Sequence, residues 1–214
     1  MDSGINCWKI SPQIHLWVIS LQKRPDDSIL SLDERRKADM YIMEKDRIAY
    51  LCARSGLRKI LSFYCNIPPQ LLRFATSVYG KPYLIGNERI QFNLSHTGAL
   101  GVVAISKQTQ IGIDAECVVA RDNLHYIAKA WFFPDEYDLW KAAPVEEQYE
   151  IFYRFWTVRE AYGKALGIGL DESLAKVNLL IPPPGWNIET FKLEREGQDY
   201  IVTTAFFHRR NVVV

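Results

Sequence analysis

The sequence predicts an α+β protein built as two lobes of similar topology in one chain. Strand-like and helix-like patterns run in the order strand, helices, strands, and that order then repeats. The join falls near Lys107 to Gln110, giving an N-terminal lobe over 1–107 and a C-terminal lobe over 108–214. A chain of 214 residues is long enough for two domains of about 100 residues each. No repeat of sequence accompanies the repeated order. A cleft between two such lobes is a favoured place for a ligand.

The first strand is Ile14 to Leu21, bounded by Ser11-Pro12 before it and Pro25-Asp26-Asp27 after it. Ser31, with Glu34 three residues on, is a capping-box pattern and opens a charged helix. The clearest helix is Asp46 to Cys65, where Ile48, Leu51, Leu57, Ile60, Leu61 and Tyr64 form an apolar face; Pro68-Pro69 end it. Short strands follow at Arg89–Leu94 and Gly101–Ser106, after a turn at Tyr79-Gly80-Lys81-Pro82. A β-favouring run from Ile111 to Val119 begins the second half. Helices are expected at Leu124–Trp131 and Tyr137–Ala142, and a long one from about Glu146 to Leu166, stopped by Gly167. Pro182-Pro183-Pro184-Gly185 is a rigid break, and Asn187–Leu193 with Tyr200–His208 form a terminal hairpin.

Composition narrows the function classes. Hydrophobic residues make up 48% and charged residues 24%, ordinary for a soluble globular protein. The formal net charge of +1 argues against bulk electrostatic binding of nucleic acid, which needs a strongly basic domain. Cys7, Cys52, Cys65 and Cys117 have no zinc-like spacing and read as reduced, mostly buried thiols. No signal architecture opens the chain, and no apolar run approaches the ~20 residues of a membrane span, so a cytoplasmic location is expected.

The residues most able to carry chemistry lie in Gly112-Ile113-Asp114-Ala115-Glu116. Side chains at i and i+2 of a strand share a face, so Asp114 and Glu116 repel unless something positive sits between them. A hard divalent cation prefers such oxygen ligands and can hold a phosphate at the same time. An edge strand with a solvated acidic face is the plainer alternative. In Trp156-Thr157-Val158-Arg159-Glu160-Ala161-Tyr162-Gly163-Lys164, Glu160 and Lys164 share a helix face. If that face meets the acidic strand, Glu160 completes a three-carboxylate site, Lys164 reaches a phosphate, and Trp156 packs the face. Phe92-Asn93-Leu94-Ser95-His96-Thr97-Gly98 reads as a strand breaking into a polar turn able to offer backbone N–H groups and His96 to a phosphate. Lys81 is presented on a rigid exposed turn.

These segments, in this order, resemble the phosphopantetheinyl transferases of the surfactin-synthetase-activating type. The motif block covers 79–170, and Asp46–Arg58 looks like the family's N-terminal basic helix, so the resemblance covers most of the chain. It implies two pseudo-symmetric α+β lobes with coenzyme A bound in the cleft between them. The implied activity, of holo-[acyl-carrier-protein] synthase type, moves the 4′-phosphopantetheine arm of coenzyme A to a serine of an acyl or peptidyl carrier protein. Adenosine 3′,5′-bisphosphate is released. Mg2+, or Mn2+ in its place, is the implied cofactor, with Asp114, Glu116 and Glu160 as its ligands. Lys164 and His96 are implied to hold the coenzyme A phosphates, Lys81 and Ser95 to line the nucleotide pocket, and Arg35 and Arg54 to meet the nucleotide phosphates. Glu160 is the first choice of general base and Glu136 the second. Arg154 and Arg159 are candidates for meeting the acidic carrier.

The chain departs from the family pattern at Ala38 and Asp39, where a second basic contact is expected, at Ala49, and at Ala115. A monomer acting without nucleic acid or membrane is expected. A Mg2+-dependent phosphohydrolase or nuclease using the same three acids is the alternative enzyme. A non-catalytic nucleotide-binding module is a third reading.

Overall fold

The computed structural model describes residues 5–23 and 25–208. It divides into two compact units: residues up to Val78 together with Pro82–Gln108, and Tyr79–Lys81 together with the chain from Thr109 onward.

The first unit is a four-stranded antiparallel sheet carrying a long helix. Its strands are β1 (Ile5–Ser11), β2 (Ile14–Ser20), β5 (Gln91–Thr97) and β6 (Leu100–Ser106), in the order β1-β2-β6-β5. A two-stranded ribbon, β3 (Phe74–Thr76) and β4 (Pro82–Leu84), stands apart. The helix α1 (Leu32–Asp39) opens on the expected capping box: the Glu34 N–H donates to the Ser31 hydroxyl, and the Ser31 N–H donates to the Glu34 carboxylate. The helix α2 (Glu44–Cys65) runs to Asn66, whose left-handed backbone ends it, so the stop precedes Pro68. Leu57, Ile60 and Leu61 pack with Ile19, Phe92, Val103 and Ile105 to form the core.

The second unit has the strand order β7-β9-β8, from β7 (Ile111–Cys117), β8 (Trp186–Arg195) and β9 (Gln198–Phe207). Between β7 and β8 lie α3 (Leu124–Trp131), α4 (Pro134–Ala142) and α5 (Val145–Leu166). Both units therefore place the strand before the helices beside the last strand, with the penultimate strand outside it: β2-β6-β5 and β7-β9-β8. That is the repeated topology read from the sequence, and β1 is an extra edge strand that the sequence pattern did not indicate. Gly167 (φ +80°) stops α5 as expected. Glu196 and Gly197, both with positive φ, make the tight turn of the β8–β9 hairpin.

One expectation is corrected here. Ser95 and His96 do not sit in a turn. They lie within β5, opposite Val102 and Gly101 of β6, and the chain turns only at Gly98-Ala99.

Candidate active site

β7 is the edge strand of its sheet, and α5 packs directly on it. The contact depends on Gly112. A Cβ there would lie 2.9 Å from the Ala165 Cα and closer still to the Ala161 carbonyl oxygen and the Ala165 nitrogen. A glycine inside a strand marks such a close backbone approach.

Two and four residues further along the same face stand Asp114 and Glu116. The Lys164 ammonium of α5 donates to Asp114 Oδ1 at 2.6 Å, while Glu160 Oε2 is 3.9 Å from it. The long-range pair across the strand–helix contact is thus tighter than the i,i+4 pair on the helix. Asp114 is 3% exposed, and Glu116 and Glu160 are half-buried. The strand is an edge strand, but its acidic face is not solvated.

Burial raises the Glu116 carboxyl to about 7; Asp114 and Glu160 add to this, and Arg121 and Lys164 oppose it. Burial also raises Glu160, with Asp114 in support and Lys164 against. Both shifts express negative charge gathered in a partly dry place. Such a group can take up a proton or attract a hard cation. The oxygen-only donor set fits Mg2+ in chemistry. In side-chain geometry it is not gathered: among the described residues no three His, Cys, Asp or Glu side chains stand together as a ligand group.

Lys81 belongs to this same unit. Its ammonium donates to the carbonyls of Ile111 and Ala165, both at 2.9 Å, and burial lowers it to about 8. The expected exposed turn lysine is therefore a docked one.

Trp156 lies one turn before Glu160, stacked on Phe152 and edge-on to Trp131, so it packs α5 against α3 as well as lining the Glu160 face. Beneath the site, the Thr157 hydroxyl meets that of Thr203 at 2.8 Å, and Thr203 stands opposite Asp114 in the β7–β9 register.

Glu136, the second choice of base, lies inside the fold. It is 2% exposed, forms an ion pair with Arg159, and accepts the Leu179 N–H at 2.8 Å and the Phe133 N–H at 3.0 Å. Its role is to cap α4 and anchor the chain after α5. Arg159, expected at a carrier surface, is fully buried in that pair and also donates to the Leu174 carbonyl. Arg154 pairs with Glu150 one turn away at 2.9 Å.

In the first unit Arg35 is exposed on α1 and His96 is exposed on β5, while Ser95 is buried. Arg54 is held by Glu34 at 2.6 Å rather than standing ready for a phosphate. Arg58 holds the other Glu34 oxygen at 2.7 Å and donates to the Pro69 and Leu72 carbonyls. Both guanidiniums lie over the Phe74 ring. Sequence reasoning missed Arg58, which carried no signal beyond a place on the helix's inner face.

Comparison with known proteins specifies the class of protein that carries this strand–helix pairing of acids and lysine. The 4′-phosphopantetheinyl transferase superfamily matches residues 110–206, and the family described as 4′-phosphopantetheinyl transferase, N-terminal, matches residues 17–108. The chain is 32% identical to the 4′-phosphopantetheinyl transferase HetI of Nostoc sp., over 86% of this chain and 84% of that protein. It is 28% identical to the 4′-phosphopantetheinyl transferase of Bacillus subtilis, over 73% of this chain and 68% of that protein. It is 32% identical to the 4′-phosphopantetheinyl transferase gsp of Aneurinibacillus migulanus, over 67% of this chain and 58% of that protein. This chain belongs to the 4′-phosphopantetheinyl transferase superfamily.

Proposed function

We propose that this protein transfers the 4′-phosphopantetheine arm of coenzyme A to a serine of an acyl or peptidyl carrier protein, with Mg2+. The observation that carries the proposal is the pairing of Lys164 on α5 with Asp114 on β7, on the two faces that also carry Glu160 and Glu116, in a chain of this family. The serine oxygen attacks the phosphorus that bears the pantetheine. The bond from that phosphorus to the bridging oxygen of the pyrophosphate breaks, and adenosine 3′,5′-bisphosphate departs.

Mg2+ held by Asp114, Glu116 and Glu160 would neutralise charge on the pyrophosphate and on the departing bisphosphate. Lys164 swings little to serve a phosphate, because Asp114 already fixes its ammonium in the site. A fixed positive group in a place that excludes water stabilises developing negative charge better than mobile solvent does. Glu160, a carboxylate carried on α5 beside the position proposed for the metal, would take the serine proton.

On the first unit, His96 and Arg35 are exposed and suited to meet phosphates of coenzyme A. Ser95, buried on the same strand as His96, would stand beside its nucleotide end. Arg54 would contribute positive potential from within its pair with Glu34. Among the described residues no helix is long and apolar enough to cross a membrane.

Intact-mass measurement of apo-carrier proteins after incubation with coenzyme A and Mg2+ tests the proposal. The expected result is a gain of one phosphopantetheine arm on the carrier. Release of bisphosphate without a carrier, at the same rate as with one, would point to a hydrolase instead.

A further inference from the structure

Lys81 is separated in sequence from both elements that carry the acid cluster, yet its ammonium bonds to each of them. The two acceptors are not interchangeable with solvent-facing carbonyls. Ala165 lies in the last turn of α5, where carbonyls have no partner within the helix. The Gly163 carbonyl is taken by the Gly167 and Ile168 N–H groups, and the Ala165 carbonyl is taken by Lys81.

Ile111 is the first residue of an edge strand. The Gln110 carbonyl accepts from the Phe207 N–H of β9, so the next carbonyl along, that of Ile111, points off the open edge of the sheet. Lys81 meets it there at 2.9 Å. One ammonium therefore closes an open strand edge and a helix C-terminus together, and a cation is favoured at the latter by the helix dipole.

The position of this brace matters more than its strength. Ala165 directly follows Lys164, and Ile111 precedes Asp114 by three residues. Between these points, at Gly112, strand and helix touch backbone to backbone, with no side chain to set their register. We propose that Lys81 is a positioning residue of the transferase site: it clamps the start of β7 to the end of α5, and so sets where Lys164 and Glu160 stand relative to Asp114. The inference rests on the proposed transfer activity for its kinetic readout, and it has a second readout that does not.

The decisive comparison is Lys81→Met, which keeps the stem and removes the donors, against Lys81→Arg, which keeps donors and charge. Steady-state transfer to an apo-carrier is measured alongside amide hydrogen exchange of the two variants and the wild type. Lys81→Met is expected to lower kcat about tenfold or more, because displacements near 1 Å at reacting groups cost up to about 100-fold. KM for coenzyme A should move less than about threefold. Exchange should quicken in the last turn of α5 and at the start of β7, and Lys81→Arg should recover most of both effects.

A rise in KM with kcat unchanged would overturn the inference, since it would make Lys81 a nucleotide contact. So would unchanged exchange at both ends of the clamp. If Lys81→Met does not fold, Lys81→Gln, which retains one amide donor group, is read by the same split. If the wild type transfers nothing, the functional reading fails while the exchange comparison still decides the clamp.

Discussion

Replacing Gly112 by alanine adds one methyl group where strand and helix backbones already touch. The new Cβ would lie 2.9 Å from the Ala165 Cα, where ordinary contact begins near 3.4 Å, so α5 must retreat by about 0.5 Å even there. It must retreat further at the Ala161 oxygen and the Ala165 nitrogen, which are closer. No flexible side-chain end can absorb the clash. Overpacking of this kind costs typically 1–3 kcal/mol, and a backbone-on-backbone clash belongs at the top of that range, about 3 kcal/mol. With a urea slope of about 1–3 kcal/mol per molar, the midpoint of the second unit should fall by roughly 1 to 3 M. The same retreat lengthens the Lys164–Asp114 bond from 2.6 Å, so the folded variant should transfer about tenfold to 100-fold more slowly. Urea titration followed by the tryptophans of the second unit, with transfer assayed on the folded protein, reads both effects. A stability loss within the ~0.5 kcal/mol of an ordinary surface change, with normal transfer, would refute the close-contact reasoning.

Glu136→Gln should destabilise by about 3–5 kcal/mol, because it strands the buried Arg159 charge, while transfer by the remaining folded protein changes little. A stable variant lacking transfer would instead restore Glu136 as a chemical participant. Burial alone would raise the Glu34 carboxyl, but Arg54, the Ser31 N–H and Arg58 together leave it below its ordinary value. Its stabilisation is therefore complete above the unfolded carboxyl value of about 4.3 and is lost as pH falls through the lower folded value. Acid titration of stability should show that limb in the wild type and not in Glu34→Gln; identical limbs would contradict the pairing. Lys164→Met should remain folded with a loss of about 1–3 kcal/mol, since it leaves Asp114 without its ammonium, and should transfer at least tenfold more slowly. Undiminished transfer would remove Lys164 from the phosphate site.

Periodic features were legible in the sequence because periodicity is what a fold imposes on a chain. The apolar face of α2, the Ser31–Glu34 capping box, the end of α5 at Gly167 and the terminal hairpin all follow local rules, and all are present. β1 was not legible, because its middle residues are mostly exposed and carry no alternation of polar and apolar positions. The extent of β5 was misread for a different reason: Ser95-His96-Thr97 has turn-like chemistry, but pairing with β6 holds it extended.

At the site, spacing placed Asp114 and Glu116 on one face and Glu160 and Lys164 on another. Spacing could not show which charges would pair. The i,i+4 neighbour Glu160 is 3.9 Å from Lys164, whereas Asp114, fifty residues away, is at 2.6 Å. Partner choice likewise sets where Glu136, Arg159 and Arg54 stand: each is a charged residue whose neutralising partner comes from elsewhere in the fold. The glycine of Gly112-Ile113-Asp114 was visible, and its meaning as a close backbone approach became clear only from the helix above it.

The most direct trial of the account is single-turnover transfer of labelled phosphopantetheine from coenzyme A to an apo-carrier by the wild type and by Asp114→Ala, side by side with Mg2+ present. Loss of the carboxylate at the centre of the strand–helix pair should slow the variant by roughly 100-fold or more while leaving it folded. A variant that loads the carrier at close to the wild-type rate would show that the acid cluster does not drive the reaction.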